Sequence, residues 1–133
     1  MKLKRFTQAG FVAATVAVAG LGLALPAAAS GSVSCDGYYC RASAGAPDTG
    51  YYEAQVDNNP GSGASWIWVW TSSGATSHAD YYLEGDSTMH QYYSPKNGAN
   101  SMTLSKNVTA FRVCGPNGAF GDTCTSTWAH PQY

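Results

Sequence analysis

Ser65-Trp66-Ile67-Trp68-Val69-Trp70-Thr71 is the stretch on which the fold turns. Successive side chains of an extended chain point to opposite faces. Trp66, Trp68 and Trp70 therefore share one side, and Ile67 and Val69 share the other. These bulky β-favouring residues, bounded by Gly63 and by Ser72-Ser73-Gly74, read as a strand buried on both faces. The Trp row has two readings. It is either the core of a doubly covered strand or a flat platform for stacking sugar rings, with Ile67 and Val69 turned inward. The scarcity of other apolar residues weighs toward the core.

Outward from this strand the chain alternates strand-like runs with turn signals. Tyr51 to Asp57 ends at Asn58-Asn59-Pro60-Gly61, where Pro and Gly suit the centre of a type II turn. Thr76 to Leu83 and Thr88 to Tyr93 flank Glu84-Gly85-Asp86 as a hairpin. Ser101 to Ser105, Val108 to Cys114 and Asp122 to Trp128 complete the set, with Gly115-Pro116-Asn117-Gly118 as a further turn. No helical periodicity of useful length appears. The expectation is an all-β fold, a small antiparallel β-sandwich of about six or seven strands. Residues 30–50, small, polar and glycine-rich, are expected to be an irregular lead-in.

The N-terminus reads as an export signal. Lys2, Lys4 and Arg5 precede an apolar run from Phe11 to Leu25, and Pro26-Ala27-Ala28-Ala29 supplies a small-residue cleavage site. This gives a signal peptide at 1–29 and a single secreted domain at 30–133, with no membrane span once the signal is cleaved. The domain keeps four basic residues, Arg41, Lys96, Lys106 and Arg112, against eight acidic ones, a net charge of −4. That balance argues against nucleic acid or an anionic membrane as partner. Aliphatic residues are few, and four Trp and nine Tyr take their place. Each such ring covers a large area and needs a partner for its N–H or O–H when buried.

The four cysteines, Cys35, Cys40, Cys114 and Cys124, all follow the signal, as expected of an exported chain with two disulfides. Closeness in sequence favours Cys35–Cys40 and Cys114–Cys124. The alternative pairings would tie the N-terminal segment to the last hairpin. Neither close pair has C-x-x-C spacing, so no metal site is expected. His78-x-Asp80 and His90 on the next strand could meet as metal ligands or as an acid–base pair. No third triad member and no G-x-S-x-G motif accompany them, so no catalytic residues and no cofactor are assigned. Asp80, Glu84 and Asp86 cluster near one turn, where acidic residues are common.

Tyrosines come in pairs: Tyr38-Tyr39, Tyr51-Tyr52, Tyr81-Tyr82 and Tyr92-Tyr93. A strand sends one ring of each pair inward and one outward, and exposed Tyr beside Ser, Asn and Gly suits a recognition surface. The leading expectation is a non-enzymatic binding module for a secreted or cell-surface protein, or a subunit of a secreted toxin or antimicrobial complex, using residues such as Tyr81, Tyr82, Tyr92 and Tyr93. The alternative is a lectin-like domain that holds polysaccharide on Trp66, Trp68 and Trp70. A third reading is an antimicrobial or protease inhibitor presenting the loop between Cys114 and Cys124.

Several resemblances accompany these residues. The signal, the four cysteines, Phe111-Arg112-Val113-Cys114 and Cys124-Thr125-Ser126-Thr127-Trp128 together resemble small secreted two-disulfide β proteins of Streptomyces-type actinobacteria. That resemblance implies export. Trp70, Gly74, Tyr81-Tyr82 and His90 are similar in spacing to lactococcin-972-like bacteriocins, although the cysteines are placed differently. In size and kind the domain also resembles the β-sandwich subunits of Streptomyces umbrella toxin particles, without a shared motif. Trp128-Ala129-His130-Pro131-Gln132-Tyr133 resembles the Strep-tag class of streptavidin-binding peptides. Asn58-Asn59-Pro60-Gly61-Ser62-Gly63 is similar to the calcium motif of microbial βγ-crystallins, but Gly63 stands in place of the final Ser and calcium is not carried over.

Overall fold

The computed structural model describes residues 30–46, 48–117 and 121–133; the expected signal at 1–29 lies outside them, as does the 118–120 tip of the loop considered for inhibition. Nine strands form among the described residues: β1 (Ser30–Asp36), β2 (Tyr39–Ala46), β3 (Gly50–Asp57), β4 (Ser65–Thr71), β5 (His78–Leu83), β6 (His90–Tyr93), β7 (Ala99–Leu104), β8 (Val108–Pro116) and β9 (Asp122–Cys124). They make two antiparallel sheets, a first of order β1-β2-β3-β4-β7 and a second of order β6-β5-β8-β9. The chain meanders through β1 to β4 and crosses over for β5 and β6. It returns for β7 along the free side of β4, then crosses again for β8 and β9. No helix among the described residues is long and apolar enough to cross a membrane.

The expected irregular lead-in at 30–50 is instead an ordered hairpin. β1 and β2 pair from Ser30↔Gly45 to Asp36↔Tyr39, and Gly37 turns the corner at φ 60°. A two-residue turn of that hand needs glycine in its first position. The strand pattern is present but written in small letters: Cys40, Ala42 and Ala44 are buried, while Arg41 lies outside. Alanine and serine carry too little hydrophobic contrast to reveal the alternation. The hairpin accounts for the strands beyond the expected six or seven.

Both disulfides join directly paired residues, Cys35 to Cys40 across β1–β2 and Cys114 to Cys124 across β8–β9. Each therefore pins the register of a hairpin, as two neighbouring cysteines on antiparallel strands allow.

The Trp row is not the core. β4 buries Ser65, Ile67, Val69 and Thr71, whereas Trp66, Trp68 and Trp70 alternate with them on the outer face, half-buried. Strand β8 covers the inner face of β2, β3 and β4, and the space between is filled by Ala42, Ala44, Ala54, Val56, Ile67, Val69 and Val113. Two large rings, Tyr52 and Phe111, plug what these small side chains leave. Tyr52 is 1% exposed, its hydroxyl donates to the Thr123 carbonyl at 3.0 Å, and its ring lies over Gly115. Burial raises its pKa, so the hydroxyl stays a donor.

Asn58 closes the other end. Its side-chain amide donates to the carbonyls of Val108 and Gln132 at 2.9 and 2.8 Å, and its oxygen accepts from the Val108 N–H at 3.0 Å. The residue that began the calcium-like motif is a buried clamp between the sheets. A register shift between Tyr82 and Leu83 sets Leu83 opposite Val108 and leaves Thr109 as the extra residue. That bulge turns Val108 into the core, where strict alternation would place it outside. The C-terminal segment is a strap. Ala129 exchanges backbone bonds with Phe111, Pro131 is buried, and the Gln132 N–H donates to Gly37. The backbone of the tag-like segment is thus built into the sandwich, while His130, Gln132 and Tyr133 stay exposed.

A methyl group at Gly115 would meet the Tyr52 ring at 2.5 Å. Gly115→Ala is expected to cost about 1–3 kcal/mol by overpacking, and most of that cost should vanish in a Tyr52→Leu background; urea denaturation of the four variants measures the coupling. Replacing Cys114 and Cys124 together by serine is expected to remove about 2–3 kcal/mol through the entropy of the opened loop, read in the same way.

Candidate functional site

The outer face of the first sheet is laid out by its register. Across β3 and β4, Asp57 pairs with Trp66, Gln55 with Trp68 and Glu53 with Trp70. Across β4 and β7, Trp66 pairs with Thr103, Trp68 with Ser101 and Trp70 with Ala99. Each indole thus has an acid or amide on one side and, for the first two, a hydroxyl on the other. Along β4 the indoles recur every second residue, about 7 Å apart.

Beside Trp70 the face drops into a groove of about 480 Å³ that crosses β3, β2 and β1. Its line follows the paired residues Trp70, Glu53, Ser43 and Ser32. Ser32 and Ser43 are linked hydroxyl to hydroxyl at 2.9 Å, and Arg41, Tyr51 and Trp70 stand around them. Glu53 sits at the base, 8% exposed. It is held by an ion pair to Arg41 Nη2, and its Oε1 accepts from Gln55 Nε2 at 2.6 Å. The Tyr39 phenol on this face has a raised pKa, chiefly from burial and then from the nearby Glu53 charge, so it too remains a donor.

The outer face of the second sheet carries a different arrangement. Asp80, 2% exposed, accepts from Arg112 Nε and Nη2, both at 2.9 Å, and from Gln91 Nε2 at 2.9 Å. The Trp128 ring covers the Arg112 guanidinium at 4.7 Å and meets Tyr82, while Tyr93 lies against His78. His78, Asp80 and Cys114 bring donor atoms within 4.8 Å of one another. Cys114 Sγ is bonded to Cys124, however, and has no thiolate to offer a metal. The Asp80 carboxylate is already committed to Arg112 and Gln91.

His78 and His90 do not meet. Register sets His78 opposite Tyr93 and His90 opposite Tyr81, on opposite faces of the second sheet. His90 stacks on Tyr81 and reaches Asp86 Oδ2 at 3.0 Å instead.

The expected binding residues are therefore divided. Trp66, Trp68 and Trp70 lie on the outside of the first sheet, and Tyr82 and Tyr93 on the outside of the second. Tyr81, 5% exposed, belongs to the core and half-buried Tyr92 packs against it, because alternation turns both inward. Neither is a surface contact, and no single ligand patch unites the set. Sequence reading missed Arg41, Ser43, Tyr51, Glu53 and Gln55. The alternation of Tyr51, Glu53, Gln55 and Asp57 against Tyr52, Ala54 and Val56 was visible, but only pairing β3 with β4 shows that it borders the indoles.

Comparison of the chain with protein-family models, curated proteins and solved structures finds no match.

The Thr88 N–H, first, and then His90 hold the Asp86 carboxyl down from 3.8 to about 2. A lowered folded-state pKa gives stability that is present above the ordinary value and lost as pH falls toward about 2. Asp86→Ala should therefore melt below the wild type at pH 6, and the two melting temperatures should converge between pH 4 and pH 2.

Proposed function

We propose that the protein is an exported, non-enzymatic carbohydrate-binding domain that lays a neutral polysaccharide along β4. The observation that carries this reading is the outward Trp66-Trp68-Trp70 row with its polar borders. A sugar ring offers an apolar C–H face and a rim of hydroxyls. An indole supports the face, and Asp57, Gln55 and Glu53 on one side with Thr103 and Ser101 on the other suit the rim. The same face sets Asp36, Glu53 and Asp57 against Arg41, which disfavours an anionic polymer.

Binding rather than cleavage is part of this reading, and the spacing of the two carboxylates that border the indoles supports it. Glu53 and Asp57 are four residues apart on one strand, about 13 Å. The paired carboxyl groups of glycosidases lie about 5–9.5 Å apart. Two disulfides suit the oxidising environment that an export signal implies.

A protein partner, the leading expectation from sequence, has its own support in Met89, just before edge strand β6, and Tyr93, at its end, 42% and 47% exposed. The outward Trp row supports polysaccharide over it.

The test is retention on insoluble or gel-embedded neutral polysaccharides: cellulose, chitin, xylan, mannan and mixed-linkage glucan. The expected result is retention on at least one, with tryptophan emission quenched by iodide before binding and protected after it. Trp68→Ala should weaken retention at least about tenfold, about 1.4 kcal/mol, with an unchanged melting temperature. Binding to none of these polymers, or equal binding by Trp68→Ala, would overturn the reading.

A further inference from the structure

We infer that the groove beside Trp70 is a separate subsite for one neutral pyranose ring, a side branch of the polysaccharide, read through two adjacent hydroxyls by Arg41 and Glu53. The inference rests on the polysaccharide reading of the Trp row and adds a second contact of different geometry. The row runs along a strand, whereas the groove runs across strands, from Trp70 over Glu53 and Ser43 to Ser32. The two lines meet near a right angle at Trp70. A linear chain lying on the indoles leaves the groove empty, and a branch leaving that chain at Trp70 enters it.

The groove has room for a sugar ring. Its volume of about 480 Å³ lies within the range of small-ligand sites. Ser32 and Ser43 give it a low floor, and Tyr51 and Trp70 offer aromatic walls. At its base lies a carboxylate whose side chain is only 10% exposed, although it is on the outer face of the sheet.

That carboxylate is fixed but not saturated. Glu53 Oε1 accepts from Gln55 and Oε2 from Arg41. A carboxylate oxygen has two acceptor sites, so each oxygen keeps one for a ligand. Arg41 uses Nη2 on Glu53, and its side chain is 54% exposed, which leaves the rest of its fork facing the groove mouth. An acceptor and a planar donor thus stand side by side. Two neighbouring hydroxyls match them, one donating to Glu53 and the next accepting from Arg41. The Ser32 and Ser43 hydroxyls can serve either role along the floor. A uronate or phosphate fits poorly, because its charge would face Glu53 while Arg41 is already neutralised by that same residue.

The probes are the methyl glycosides of glucose, galactose, mannose and xylose, titrated at millimolar concentration into isotope-labelled protein. The readouts are the Trp indole and Arg41 Nε resonances. At least one glycoside is expected to shift Trp70 and Arg41 while leaving Trp66 still. Its deoxy derivative lacking one of the adjacent hydroxyls should bind at least about tenfold more weakly, and methyl glucuronide no better than methyl glucoside. Glu53→Gln should abolish the shifts. Ser43→Leu, which plugs the floor and leaves the Arg41–Glu53 pair intact, should do the same with an unchanged melting temperature.

Failure of this inference is separable from failure of the platform reading. If no glycoside moves Trp70 and Arg41, or Ser43→Leu binds as the wild type does, the subsite is refuted whatever the polymer does. If the groove shifts appear but Trp66→Ala and Trp68→Ala retain polysaccharide fully, the subsite stands and the platform falls.

Discussion

Tyr52 joins the two sheets through a single ring. It points inward from β3, lies flush on Gly115 of β8, and ties its hydroxyl to Thr123 of β9. A core lined by Ala42, Ala44 and Ala54 has little volume of its own, so one aromatic plug must fill it. That ring needs a partner that offers no Cβ, and Gly115 supplies it. The Cys114–Cys124 bond, one residue away, holds the glycine strand against its neighbour at the same level. At the opposite end Asn58 satisfies both backbone groups of Val108 and one carbonyl of the C-terminal strap. Between these two fastenings the sheets need few aliphatic side chains.

Because small residues and the rings of Tyr52, Phe111 and Tyr81 fill the core, the indoles are free to face outward. A larger residue at Ala42 or Ala54 would crowd β8, and a Trp row turned inward would have nowhere to sit. Thin packing inside and a heavy aromatic row outside are two sides of one strand alternation.

The two outer faces use the same chemistry under different cover. Each sheet carries a nearly buried carboxylate gripped by an arginine and a glutamine: Glu53 with Arg41 and Gln55 on the first, Asp80 with Arg112 and Gln91 on the second. Over Asp80 the arrangement is roofed, with Trp128 on Arg112 and Tyr93 on His78. A paired charge so covered is a fastening, and losing either partner would leave a buried charge uncompensated. Among the described residues no ring stacks over Arg41 in this way, and the space beside Glu53 is the groove. Cover, not composition, separates the network sealed under rings from the one proposed as a subsite.

Local sequence determined what one strand can decide for itself. Turn residues marked the boundaries, β-favouring residues marked the strands, and the even count of closely spaced cysteines matched the two disulfides that form. Period-two alternation likewise set the Trps on one side of β4 and Ile67 and Val69 on the other. What alternation cannot say is which side meets the second sheet, and here the scarcity of aliphatics pointed the wrong way. The answer depends on whether Ala42, Ala44 and Ala54 suffice to line a core, which becomes decidable only when Tyr52 and Phe111 are seen between the sheets. The β1–β2 hairpin was hidden because serine, glycine and alanine carry almost no hydrophobic contrast. Tyr81 and Tyr92 were misplaced because adjacent tyrosines are chemically identical and only pairing distinguishes inward from outward. The border of Asp57, Gln55 and Glu53 along the indoles, and the groove at its end, exist only through the register of four strands. That register is a long-range property, fixed by how the sheets close on one another and carried by no single segment of the chain.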